Sequence, residues 1–233
     1  MPLPLPDIVS IRDFMVFEQH VRTARARRGA EVPAEWYEAP TFYYSNPRTL
    51  FGHGSDVPRP AYTQKLDFEL EIACVLDSGG VDLTVEQAEA CIAGLCIFND
   101  WSARDVQRQE MAVGLGPSKA KDFAQSLGPH LVPLAELAER RVGPGKYDLA
   151  MQARINGVQV SAGNARDMRW GFAELVAHAS QTVPLVAGEV FGSGTVGTGC
   201  ILELGTEVHR WLEPGDEVEL EIELLGVLRN RVV

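Results

Sequence analysis

The chain has 233 residues, enough for one large domain or two small ones around a substantial core. Hydrophobic residues make up 45% and charged residues 23%, which fits a globular protein and excludes a disordered or fibrous one. The net charge of −11 argues against nucleic acid or an anionic membrane as partner, though not against a small anionic substrate held by local cations or a metal.

The opening Met1-Pro2-Leu3-Pro4-Leu5-Pro6 has no basic region and too many prolines for a signal peptide. No apolar run approaches the roughly 18 residues that a membrane span needs. Residues 1–10 read as an extended arm. From Asp13 to Arg28, the residues Phe14, Phe17, Val21 and Ala24 recur at helical spacing and predict a helix. Its second half carries Arg22, Arg25, Arg27 and Arg28, read as a solvated basic face. Residues 1–40 are thus an N-terminal arm and helix. Residues 41–233 are expected to form a single globular unit, since no linker interrupts them.

Thr41-Phe42-Tyr43-Tyr44-Ser45 predicts a short strand ended by Asn46-Pro47. Residues 46–60 form a loop with His53 between Gly52 and Gly54. The stretch from Leu66 to Leu76 then alternates apolar residues at 66, 68, 70, 72 and 74 with acids at 67, 69 and 71. A period of two predicts a strand with one buried face, so Glu69 and Glu71 point the same way. Two carboxylates on one face repel unless a cation sits between them, and a hard ion such as Mg²⁺, Mn²⁺ or Ca²⁺ would serve. A second alternating stretch, Glu217 to Leu224, carries four acids and reads as a solvated face, so alternation alone does not decide the matter.

Thr84-Val85-Glu86-Gln87 is a capping box that opens a short helix to about Ala93. The apolar run Leu95 to Phe98 ends in Asn99-Asp100-Trp101-Ser102-Ala103-Arg104-Asp105, with Ser102 as the expected N-cap of the next helix. Asp100 sits where strand hands over to helix, and Arg104 and Gln107 share one helix face. Residues 112–122 form a glycine-rich loop that carries Lys119 and Lys121 but lacks the spacing of a phosphate loop. Asn156-Gly157 predicts a tight hairpin turn, Phe172 to Ala179 an amphipathic helix, and Cys200 to Leu204 a strand. Glu213-Pro214-Gly215-Asp216 predicts a type II turn before the last strand. Cys74, Cys91, Cys96 and Cys200 lie in apolar surroundings at spacings that match no zinc pattern, and read as buried thiols in a reducing cytoplasm.

Five strings, in this order, resemble the fumarylacetoacetate hydrolase family. They are Asp67-Phe68-Glu69-Leu70-Glu71, Phe98 to Asp105, Ala120-Lys121-Asp122-Phe123, Gly192-Ser193-Gly194-Thr195 and Pro214-Gly215-Asp216. The resemblance covers roughly residues 41–233 and implies a mainly β (α+β) fold: a mixed β-sheet roll or sandwich with a few peripheral helices, usually a homodimer. Many members carry a further small N-terminal domain, which this chain is expected to lack. By position, Glu69, Glu71 and Asp100 match the family's carboxylate ligands for Mg²⁺ or Mn²⁺. Lys121 matches the lysine that helps hold charge on the substrate. Gln107 and Thr195 match polar substrate contacts, Tyr43 an aromatic contact at the site entrance, and Arg104 joins them as a candidate contact.

Three departures stand out. The family's fumarylacetoacetase has a fourth acidic ligand where this chain has Thr41. Its hydrolases activate water with a histidine–glutamate pair, and the position of that histidine is Arg48 here, with His53 five residues on as the candidate base. The glutamate follows the Gly-Ser-Gly-Thr loop in the family, and here that loop runs short through Val196-Gly197-Thr198-Gly199. The resemblance therefore implies a divalent-metal-dependent hydrolase that cleaves a C–C bond in a β-diketo acid such as an acylpyruvate, fumarylpyruvate or fumarylacetoacetate. The alternative is an isomerase, tautomerase or decarboxylase of oxo-diacids, of the 2-hydroxyhepta-2,4-diene-1,7-dioate or oxaloacetate type. A third reading is a metal-binding dimer without catalysis.

Overall fold

Two mixed sheets form the body of the chain, and the larger one carries Glu71 and Asp100. The structure is a computed structural model and describes residues 7–27 and 29–233. The proline-rich opening and Arg28 lie outside the described residues.

Strand β1 (Ser10–Phe14) and helix α1 (Glu18–Ala26) come first, followed by β2 (Phe42–Ser45), β3 (Leu50–Phe51) and β4 (Asp56–Val57). The helix expected from Asp13 thus begins only at Glu18. β1 lies between two neighbours and hydrogen-bonds to both, and this tertiary pairing overrides the local helical spacing of Phe14 and Phe17. The expected 66–76 strand divides into β5 (Leu66–Asp67) and β6 (Leu70–Leu76), with Glu69 in the break. Every residue of both pieces is buried, so neither face is wet.

Helix α2 (Val85–Ala90) has the predicted capping box, Thr84 with Gln87. Strand β7 (Ile92–Asp100) ends at Asp100, and β8 (Ser102–Ala103) pairs with β5. Helix α3 (Arg104–Val113) follows directly, and Ser102 does not cap it. Its hydroxyl instead donates to the Asp100 carbonyl at 3.1 Å.

The chain continues through β9 (Gln125–Val132), β10 (Arg141–Gly143), β11 (Lys146–Tyr147), β12 (Ala150–Ile155) and β13 (Val158–Asn164). The β12–β13 hairpin turns at Asn156 and Gly157, both with positive φ, as its sequence predicts. Helix α4 spans Phe172–Ala179, the predicted range. Strand β14 (Glu189–Gly192) leads to helix α5 (Ile201–Leu204), and β15 (Glu217–Ile222) and β16 (Gly226–Val232) close the chain. α5 was expected as a strand. Its four apolar-rich residues carry no period of their own, and Asp67 accepts from the first two free amides, Ile201 N at 2.8 Å and Leu202 N at 3.0 Å.

The seven-stranded sheet runs β2-β1-β14-β6-β7-β9-β3, and the five-stranded sheet runs β13-β12-β15-β16-β4. Leu70, Ile72, Leu95 and Ile97 of the first meet Met151, Leu220, Ile222 and Leu228 of the second in the main core. On the other face of the first sheet, Ile11, Ala73, Val75, Phe98 and Val190 form a smaller cluster. The fold is therefore mainly β, with curled mixed sheets and few helices. The acids of β15 are not a free solvated face either: Glu219 pairs with Arg229 and Glu221 with Arg154. No helix among the described residues is long and apolar enough to cross a membrane.

Candidate metal centre

Strand alternation decides where the acids go. Leu70 and Ile72 face the core between the sheets, so Glu71 turns to the opposite face with Ala73 and Val75. By the same rule Asp13 shares a face with Ile11 on β1, and Asp100 with Phe98 on β7. Asp13, Glu69, Glu71 and Asp100 converge there, each offering a carboxylate oxygen within 4.8 Å of the others.

Asp13 enters because β14 is empty at the crossing point. Gly192 lies between β1 and β6, and a Cβ there would meet Asp13 Oδ1 at 2.4 Å. Beyond it, the Gly194 amide donates to Glu71 Oε2 at 2.9 Å and to Asp13 Oδ1 at 3.2 Å. Gly194 has φ +78°, and a Cβ would meet the Phe14 carbonyl oxygen at 2.3 Å. Tyr43 stands opposite Asp13 in the β1–β2 ladder and donates its hydroxyl to Asp13 Oδ2 at 2.7 Å and to Asp100.

Two cations close the site. Lys121 is buried, not a mobile loop lysine, and its Nζ lies 2.6 Å from both Glu69 Oε2 and Asp100 Oδ2. Arg104 donates from Nε to Asp67 Oδ2 at 2.8 Å, and its Nη2 lies 2.8 Å from Glu69 Oε1. Its Nη1 donates to Gln107 Oε1 at 3.0 Å, which fixes the amide and leaves the Gln107 nitrogen for a ligand. Arg104 is therefore tied up in holding its neighbours. Asp67, on the same side as the ligand pair in the sequence pattern, is the buried anchor of this arrangement.

The charges do not balance. Asp67 and Arg104 offset each other, and Lys121 then faces four carboxyl groups in a buried place. Burial and the neighbouring Asp100 push the Asp13 carboxyl up to about 7, and burial with Asp13 raises Glu71 well above the usual range. Burial also raises Asp100. Burial opposes ionisation of Glu69 as well, but Lys121 and Arg104 hold that carboxyl below its ordinary value. The same acids outweigh the effect of burial on Lys121 and raise its ammonium above the ordinary value. Glu71 Oε1 and Asp100 Oδ1 are buried and find no hydrogen-bond partner among the described residues. Orphaned oxygens of this kind are costly. An all-oxygen set with surplus negative charge fits a hard divalent ion such as Mg²⁺ or Mn²⁺.

A cavity of about 430 Å³ opens over the acids. Tyr43, Arg104, Gln107, Lys121 and Thr195 all line it, together with Glu69 and Glu71. His53 does not. It sits in the β3–β4 turn, where Nδ1 accepts from the Arg229 amide at 3.2 Å, beside β16 of the other sheet. Its nearness to β2 in sequence does not become nearness to the site.

The cavity has a different histidine. His20 of α1 lines it, and its Nδ1 is hydrogen-bonded at 2.8 Å to Glu203 Oε2 on α5. Both residues are buried. Sequence reasoning missed this pair and Asp13. The available signals were a histidine on the apolar stripe of α1 beside Phe17 and Val21, and a lone acid inside Cys200-Ile201-Leu202-Glu203-Leu204. A buried charge of that kind needs a partner.

The family model described as Fumarylacetoacetate (FAA) hydrolase C-terminal matches residues 10–233. The chain belongs to the fumarylacetoacetate hydrolase family. Among curated relatives, it is 29% identical to a fumarylacetoacetase of Oryza sativa subsp. japonica, over 89% of the chain and 62% of that protein. It is also 29% identical to the oxaloacetate tautomerase YisK of Bacillus subtilis (strain 168), over 99% of the chain and 71% of the relative. The chain thus spans less than two thirds of the length of the rice fumarylacetoacetase. A crystal structure of fumarylpyruvate hydrolase from Pseudomonas aeruginosa, in complex with Mn²⁺ and pyruvate, superimposes with a TM-score of 0.76 at 23% identity. That match covers 100% of this chain and 99% of the other, and at that identity the likeness is one of fold. The family to which the chain belongs includes hydrolases and tautomerases.

Proposed function

We propose that the chain is a divalent-metal-dependent hydrolase of β-diketo acids, acting on a small oxo-acid of the acylpyruvate kind. The observation that carries this reading is the buried hydrogen bond between Glu203 and His20, the latter lining the same cavity as Asp13, Glu69, Glu71 and Lys121. Glu69, Glu71 and Asp100 are the proposed ligands of Mg²⁺ or Mn²⁺, joined by Asp13 in place of the acid absent at Thr41. When bound, such an ion supplies Lewis-acid polarisation of the substrate's chelating oxygens.

The chain's own residues supply the rest. Lys121 donates two of its three hydrogens to Glu69 and Asp100, and the third remains for the oxygen on which negative charge develops. Gln107 and Thr195 orient the substrate from the cavity wall. Glu203 accepts the Nδ1 proton of His20 and so holds the ring in the tautomer whose Nε2 can take a proton. His20 removes a proton from water as its oxygen bonds to the carbonyl carbon. The C–C bond then breaks, and its electron pair enters the enolate beside Lys121. His20 returns the proton to that enolate's carbon, giving a keto acid and a carboxylic acid.

A second reading, an oxaloacetate-type tautomerase, is favoured by the 29% identity to YisK over nearly the whole chain. There His20 would only move a proton between carbon and solvent. Incubation with acetylpyruvate and with oxaloacetate in the presence of Mg²⁺ or Mn²⁺, followed by NMR of the products, separates the two. Pyruvate and acetate from acetylpyruvate support hydrolysis. Proton exchange on oxaloacetate without any cleavage of acetylpyruvate would overturn it.

A further inference from the structure

The His20–Glu203 pair has a third neighbour that the proposed hydrolysis does not use. Cys200 is fully buried at the N-terminal end of α5, with its Sγ 3.6 Å from the same Glu203 Oε2 that His20 contacts. His20, Cys200 and Glu203 each offer a ligand atom, all within 4.8 Å of one another. The other carboxylate oxygen, Glu203 Oε1, is buried and finds no hydrogen-bond partner among the described residues. This cluster shares no residue with the four-carboxylate centre.

We propose that His20, Cys200 and Glu203 form a second metal site, selective for Zn²⁺ or another soft divalent ion, whose occupation switches the enzyme off. The donor set is one nitrogen, one sulfur and one oxygen, which suits Zn²⁺ and is ill suited to Mg²⁺. The acid centre has the opposite character, so the two sites sort ions by softness. Tetrahedral zinc bonds of about 2.0–2.3 Å set ligand atoms about 3.3–3.7 Å apart. The sulfur–oxygen separation already lies in that range, and the nitrogen–oxygen separation must widen by about half an ångström. His20 lines the cavity, which gives the site an entry path. Burial holds the Cys200 thiol in its protonated form, while the Arg104 guanidinium pulls toward the thiolate. Ion binding displaces the thiol proton and the proton of the His20–Glu203 hydrogen bond, and both leave to solvent.

The inhibitory consequence rests on His20–Glu203 being the base pair, whereas ion binding does not. The test is a Co²⁺ titration of the metal-free full chain in excess Mg²⁺, followed by near-ultraviolet absorption. A thiolate–cobalt charge-transfer band should saturate at one ion per chain, disappear on adding Zn²⁺, and be missing in Cys200→Ala. Mg²⁺ binding by the variant checks its fold, and Cys200→Ser is read if Cys200→Ala does not fold. A wild type without the band, or a band that survives both substitutions, overturns the site. In parallel, Zn²⁺ should inhibit Mg²⁺-supported turnover, with the variant at least about tenfold less sensitive. Equal sensitivity overturns the switch. If the wild type cleaves no β-diketo acid, the proposed function fails and the cobalt band still decides the site.

Discussion

Asp13 and Glu71 lie on strands separated by β14, yet both accept a hydrogen bond from the amide of Gly194. That shared contact brings a residue from the start of the chain into a cluster whose other members come from positions 69 to 100. It depends on Gly192, which leaves the space between them unfilled.

Gly192→Ala tests this dependence. The added methyl meets Asp13 Oδ1 at 2.4 Å and Phe98 at 3.1 Å, so the acid must move. The expected cost is about 1–3 kcal/mol of stability, measured by denaturant unfolding. Mn²⁺ affinity in the same protein should fall at least about tenfold. Unchanged affinity would mean that Asp13 is dispensable to the ion.

Asp13 also gives the metal-free protein a pH signature. Its carboxyl is raised from 3.8 to about 7, so the folded state holds a proton that the unfolded chain releases. A raised acid stabilises the fold at low pH and loses that contribution as pH rises through the folded value. The Tm of metal-free protein should therefore fall by several degrees between about pH 4 and 7.5. Glu69 has the opposite sign, but its change lies below its ordinary value and outside most of this window. Asp13→Asn should flatten the decline, and saturating Mg²⁺ should remove it. A Tm that rises steadily over the window without metal would contradict this assignment.

His20→Ala should lower the cleavage rate about 100- to 10,000-fold while leaving Mn²⁺ affinity unchanged, because the pair moves protons and is not a ligand of the acid centre. Glu203→Gln should lower the rate less, since the imidazole remains. His53→Ala should retain the wild-type rate. Steady-state kinetics alongside calorimetric Mn²⁺ titration separates these outcomes, and a large loss in His53→Ala would return the base to the loop.

Much of the site was readable from the sequence because its parts lie in compact strings. Glu69, Glu71, Asp100 and Lys121 come together as the motifs predict, and the Asn156-Gly157 hairpin and Phe172–Ala179 helix fall where local pattern places them. What was missed depends on contacts distant in sequence. Asp13 looked helical because Phe14 and Phe17 happen to be three apart, whereas pairing with β2 and β14 makes it a strand. Glu203 looked like a strand residue because four residues are too few to show a period, and the anchoring of α5 by Asp67 is 134 residues away in sequence. His53 is the expected base because it lies five residues beyond Arg48, the position of the family's histidine, whereas the packing of α1 on α5 brings His20 to the cavity.

The proposed chemistry stands on the buried acids Asp13, Glu69, Glu71 and Asp100 holding a metal ion. The most direct measurement is calorimetric titration of Mn²⁺ into metal-free protein, wild type and Glu71→Gln. The wild type should bind a single ion per chain, and the variant should lose that binding with its fold intact. Equal binding in both proteins, or none in the wild type, would contradict it.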